Sequence, residues 1–212
     1  MSSKAVLKTS ERPVYSRPSF QQAMTLNSLQ AQRVMVRAFE KVSRALYFID
    51  VIIHIIGTEE QAEAIEGMVL GRVENLQQEF AKEEQRLDKL LEDHGIDLLP
   101  SYDHPVEYQL KISCPQLARF AAILKQLDTL NGKVDSLWLH LVLDNKQCLQ
   151  AKRQLSQQVI KLGNRIIGIE GYARASIKNL GKQPEVEQQV DAEMVSLPTE
   201  QIDVVETDRL AV

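Results

Sequence analysis

Tyr108-Gln109-Leu110-Lys111-Ile112-Ser113, YQLKIS, is the one clearly strand-like stretch in a chain of 212 residues that otherwise reads as helix. Tyr108, Leu110 and Ile112 fall on one face, and Gln109, Lys111 and Ser113 on the other. This period of two marks a half-buried strand. A lone strand leaves its backbone N–H and C=O groups unpaired. No second strand of similar quality stands nearby, so the simplest partner is the same segment from a second copy of the chain. The resulting ribbon would present Gln109, Lys111 and Ser113 on its open face. A two-stranded ribbon fits a DNA major groove.

Helices are expected on both sides of this strand. Upstream, Val34, Ala38, Val42, Ala45, Leu46, Ile49, Ile53 and Ile56 recur at helical steps, which predicts a helix over about 22–56. Gly57 ends it. Thr58-Glu59-Glu60-Gln61 reads as a capping box for a second helix, about 59–93, with its stripe on Ile65, Val69, Val73, Leu76, Phe80, Leu87, Leu90 and Leu91. Gly95 suits its C-cap, and a connector over 94–107 holds Pro100 and Pro105. Downstream, Pro115 suits a first helical turn. Leu117, Phe120, Ile123, Leu124, Leu127 and Leu130 form a stripe that resumes almost in phase at Val134, Leu137 and Leu141. The phase favours one helix over 115–143; the alternative is two helices meeting at Asn131-Gly132. A last helix is expected over about 146–180, where Gly163, Gly168 and Gly171 either weaken it or admit a close neighbour. Residues 1–20 read as a flexible basic arm and 181–212 as a disordered acidic tail. The organisation is then an arm, a helical hairpin over 21–105, a strand-helix-helix region over 106–180 and a tail. No internal repeat is visible.

The formal net charge of −4 conceals alternating blocks. Residues 1–56 hold eight Lys and Arg against three Asp and Glu, net +5; residues 57–107 hold four against fourteen, net −10. Residues 108–180 hold eleven against four, net +7, and residues 181–212 two against eight, net −6. A basic block that opens at the strand is what a nucleic-acid reader shows. Cys114 and Cys148 form neither a disulfide framework nor a metal motif, and with no secretory signal the cytoplasm is the expected compartment. The apolar run Leu46–Ile56 is too short for a membrane span. His54, His94, His104 and His140 are scattered, and phosphate-loop, dinucleotide and nucleophile-elbow motifs are missing. These observations argue against an enzyme and against a bound cofactor or metal.

The expected fold is mainly α: a long-helix bundle with one short strand per chain pairing across a homodimer, in the manner of a ribbon-helix-helix protein. Gln109 suits adenine, Lys111 guanine, and Ser113 a base or a phosphate. If a helix starts at Asn131-Gly132-Lys133, its N–H groups and the lysine would hold a phosphate. Arg119 and Lys125 are candidates for flanking phosphates. The competing reading is a helical adaptor or structural oligomer that binds no nucleic acid.

Residues 106–177 also resemble a known family. The Pro115-started helix with its Ala121-Ala122 step, the Leu127-Asp128 pair followed by Asp135 to Trp138, and the Leu143-Asp144 turn are similar to the AcaB-like regulators of conjugative plasmids and integrative elements. AFEKVSRAL, Ala38 to Leu46, resembles the family's earlier helix. The resemblance implies a cytoplasmic, dimeric transcriptional regulator with a ribbon-helix-helix-like element that binds double-stranded DNA and switches on conjugative transfer genes. RNA polymerase or another regulator is a further expected partner, through the acidic second helix or tail. The chain departs from a minimal ribbon-helix-helix protein in its much longer helices and in the weakly marked break at Asn131-Gly132.

Overall fold

YQLKIS forms a strand as far as Ile112, and its partner lies in the same chain. The structure, a computed structural model, describes residues 18–56 and 59–179. The arm expected over 1–20, apart from its last three residues, and the tail expected over 181–212 lie outside the described residues. Six elements follow in order: β1 (Phe20–Leu26), α1 (Leu29–Ile56), α2 (Glu59–Asp93), β2 (Val106–Ile112), α3 (Pro115–Leu139) and α4 (Asn145–Asn179). β1 and β2 pair antiparallel, from Phe20 opposite Ile112 to Leu26 opposite Val106. The strand pairing expected between two copies is thus made within one. β1 replaces the start of the helix expected from about Gln22. Its sequence, FQQAMTL, is rich in Gln, Ala and Met, which favour helix locally, and pairing with β2 overrides that preference.

α1 begins after Asn27-Ser28, where the Ser28 hydroxyl accepts from the Ala31 N–H at 3.4 Å. Asp128 of α3 reinforces this end. Its carboxylate accepts from the backbone N–H of Ser28 at 2.7 Å and of Asn27 at 3.0 and 3.1 Å, and from the Asn27 side-chain amide at 3.2 Å. An anion suits the positive end of a helix dipole, here supplied from 100 residues away.

α3 runs unbroken through Asn131-Gly132, as the phase of its stripe predicted. Leu130, Asn131 and Val134 have no exposed surface, so the segment lies inside the bundle. The helix stops at Leu139 in a turn where the Val142 N–H bonds back to Leu137 at 2.9 Å and Leu141 takes a positive φ of 60°. A reciprocal cap then opens α4: Gln147 N–H donates to Asp144 at 2.7 Å and Asp144 N–H to the Gln147 side chain at 2.9 Å.

The chain is built twice over. Each element of the second half starts 86 residues after its counterpart: 20 and 106, 29 and 115, 59 and 145. Both strands have seven residues, and α2 and α4 both have 35. Burial repeats as well. Met24 and Leu110, Leu26 and Ile112, Ala31 and Leu117, Val34 and Phe120, and Ala38 and Leu124 are buried at matching places. The sequence hid this repeat because few residues coincide, among them Gln30 and Gln116, Arg33 and Arg119, and Leu76 and Leu162. The constraint is on pattern, and apolar side chains substitute freely under it. The two β-α-α units are interlocked. α1 packs most extensively on α4, and α2 on α3, more than α1 does on α2 or α3 on α4 within each unit. The hairpin expected over 21–105 and the region expected over 106–180 therefore share one core.

Candidate nucleic-acid interface

The pleat of the ribbon sorts its side chains by face. Met24, Leu26, Leu110 and Ile112 are buried against the helices, and Tyr108 is half-buried. Gln21, Ala23, Thr25, Glu107, Gln109 and Lys111 are all exposed. They meet in three cross-strand pairs: Gln21 with Lys111, Ala23 with Gln109, and Thr25 with Glu107. The Gln109 amide donates to Glu107 at 2.8 Å. Lys111 has no ion pair among the described residues.

Several contacts fix this surface to the bundle. The Gln32 amide donates to the carbonyls of Leu26 and His104, both at 3.0 Å, and so clamps the end of β1 to the chain entering β2. Lys125 donates to the Thr25 carbonyl at 2.8 Å and so ties β1 to α3. α3 runs beneath the ribbon from Pro115, at the Ile112 end, to Asp128, at the Asn27 end. It then projects past the ribbon for roughly 16 Å at 1.5 Å per residue.

The residues singled out from the sequence separate into groups. Gln109 and Lys111 stand on the open face as expected. Ser113 lies just past the end of β2 and is half-buried. Arg119 is exposed on the first turns of α3 and pairs with Glu74 at 2.8 Å. Lys125 is exposed and lies 3.7 Å from Asp128 as well as bonding β1.

Asn131, Gly132 and Lys133 are a correction. No helix starts there, so they offer no free N–H groups for a phosphate. Asn131 is buried and donates to the Ser28 hydroxyl at 3.2 Å. Lys133 is held between Glu84 at 2.8 Å and Asp88 at 2.6 Å. Burial lowers the Lys133 pKa, but hydrogen bonds to Asp88 and Glu84 outweigh it and hold the ammonium above its ordinary range. The helix that does start after α3, α4, has Asp144 as its cap, which disfavours an anion.

Sequence reasoning missed half of the surface: Gln21, Ala23, Thr25 and, one turn into α1, the exposed Arg33. The available signal was the alternation of Gln22, Met24 and Leu26 ahead of the Asn27-Ser28 cap. A second buried polar cluster fixes the connector before β2. Tyr102 donates to Asp135 at 2.8 Å, Lys152 pairs with Asp135, and the Ser136 hydroxyl donates to the Leu98 carbonyl at 2.9 Å. Among the described residues, no group of three or more His, Cys, Asp and Glu converges to hold a metal ion, and no helix is long and apolar enough to cross a membrane.

No protein-family model and no curated protein matches the chain. Among solved structures, the crystal structure of selenomethionine-containing AcaB from uropathogenic E. coli is similar. It shares 44% sequence identity at a TM-score of 0.79, over 84% of this chain and 97% of that one.

Proposed function

The chain belongs to the AcaB family, and from that premise we propose that it is a sequence-specific DNA-binding regulator that reads the major groove with its β1–β2 ribbon. The observation that carries this reading is the open face of the ribbon, where six exposed side chains stand on a scaffold pinned by Asp128, Gln32 and Lys125. Two strands about 4.8 Å apart, with side chains on one face, fit a groove about 12 Å wide. Gln21 and Gln109 suit adenine, Lys111 guanine and Glu107 the amino group of cytosine. Thr25 and Ala23 suit a thymine methyl. Arg33 and Arg119 sit at matching places on the first turns of α1 and α3, where cations beside the ribbon would meet phosphates.

The AcaB resemblance adds the biological setting: activation of conjugative transfer genes in the cytoplasm, with RNA polymerase or another regulator as further partner. A carboxylate-rich α2 supplies a surface for such a protein. No catalytic chemistry is needed for this role.

The test is binding of the purified chain to duplexes from upstream of neighbouring genes, across a salt series. Wild type should prefer particular sequences and weaken steeply as salt rises, because each neutralised phosphate releases a counterion. Gln109→Ala with Lys111→Ala should lose the preference. Equal binding to all duplexes, or none near physiological salt, would show that the ribbon reads no base.

A further inference from the structure

The ribbon is made by two strands of one chain, and this changes what it can recognise. A ribbon built from two copies of one strand presents the same side chains at both ends, and so suits a palindrome. Here the centre of the repeat falls at Ala23 opposite Gln109, the fourth residue of each strand. Places related across that centre carry different residues: Gln21 and Glu107, Ala23 and Gln109, Thr25 and Lys111.

The difference is one of charge and hydrogen-bonding sense. At one end Gln21 and Lys111 offer an amide and an ammonium. At the other Thr25 and Glu107 offer a hydroxyl and a carboxylate. Lys111 donates only, and an ionised Glu107 accepts only. The end with Lys111 therefore suits purine acceptors, guanine O6 and N7, and the end with Glu107 suits an amino donor such as cytosine N4. The flanks differ in the same way: Arg119 is paired with Glu74, whereas Ile160 stands at the corresponding place in the other unit and leaves the exposed Arg33 without that partner.

We infer that a single chain recognises one non-palindromic duplex site in one fixed orientation, with Lys111 and Gln21 reading one end and Glu107 and Thr25 the other. The inference rests on the DNA-reading role proposed above and adds to it the form of the site and the number of chains on it. From the Gln21–Lys111 pair to the Thr25–Glu107 pair is four residues, roughly 13 Å at strand rise, or about four base-pair steps.

Selection of bound duplexes from a random pool tests this, using the full chain and the variants Lys111→Ala and Glu107→Ala, with mass measured on the selected complex. Wild type should yield a motif that is not its own reverse complement, with one chain per motif. Lys111→Ala should relax base preference at one end only, and Glu107→Ala at the opposite end only, each by roughly 5-fold to 150-fold per base pair for a lost contact of about 1–3 kcal/mol. Both positions are exposed on the strand, so circular dichroism should show wild-type folding in both variants. A palindromic motif with two chains, or relaxation at two symmetric positions from either single substitution, would overturn the inference and leave the DNA-reading role standing. Selection of no motif would overturn both.

Discussion

Asp128 should be the most consequential single carboxylate in the fold. Its side chain is 3% exposed and accepts from two backbone N–H groups and one amide at the junction of β1 and α1. In Asp128→Ala the buried Ser28 N–H loses its acceptor, worth about 1–3 kcal/mol, and the part-buried Asn27 donors lose theirs at about 1 kcal/mol. A void and a lost helix-dipole contact add a further few tenths to 1 kcal/mol. The sum is about 2–5 kcal/mol, a large share of the 5–15 kcal/mol typical of a domain. Asp128→Asn keeps one acceptor oxygen and should cost roughly half as much, since its new amide turns donors toward donors. Urea denaturation gives the loss, and hydrogen exchange gives its location. Protection should fall first over residues 21–28, while the buried middle of α3 keeps its wild-type rates. DNA binding should weaken in parallel, because the ribbon loses its anchor before the bundle opens. A loss below about 1 kcal/mol, or exchange that rises evenly over the chain, would refute the view that Asp128 holds β1 in place.

Three further outcomes are expected. Gly163 lies where α4 crosses α1, and an added Cβ would sit 3.0 Å from Val42 Cγ2, whereas at Gly168 it would meet nothing. Gly168→Ala should therefore stabilise by about 1 kcal/mol through helix propensity, and Gly163→Ala should gain nothing or lose stability; equal gains in thermal denaturation would contradict the close approach. Burial, then the hydrogen bond to Asp135, raises the Tyr102 pKa above its ordinary 10.0. The folded chain keeps a proton that the unfolded chain releases, so stability should fall as pH rises past about 10. Tyr102→Phe should cost about 1 kcal/mol at pH 8, and its deficit should narrow toward pH 12, which pH-dependent denaturation checks. Cys114 and Cys148 are buried, and burial raises the Cys148 thiol above its ordinary range. A thiol reagent at pH 8 should label neither rapidly in the folded chain and both after unfolding, as mass spectrometry would show.

The sequence by itself determined the parts whose signal is local. The alternation of YQLKIS placed β2 and its outward Gln109 and Lys111. The apolar stripes placed four helices, and their unbroken phase carried α3 through Asn131-Gly132. Asp144-Asn145 marked the turn that opens α4. Each depends only on neighbours within a turn or two. What tertiary structure alone decided depends on residues far apart in sequence. FQQAMTL has helix-forming residues, and it is a strand because β2 satisfies its backbone and the core takes Met24 and Leu26. Asn131 and Lys133 offer an amide and a cation that would suit a phosphate, yet Ser28 takes the Asn131 amide and Glu84 and Asp88 hold Lys133. The two units match in length and burial but hardly in residue identity, so only their interlocked packing shows that the ribbon closes within one chain. That packing joins Gln21, Ala23 and Thr25 to Glu107, Gln109 and Lys111 on a single face. Backbone pairing sets which residues meet across a ribbon, and no local periodicity encodes a partner 80 to 92 residues away.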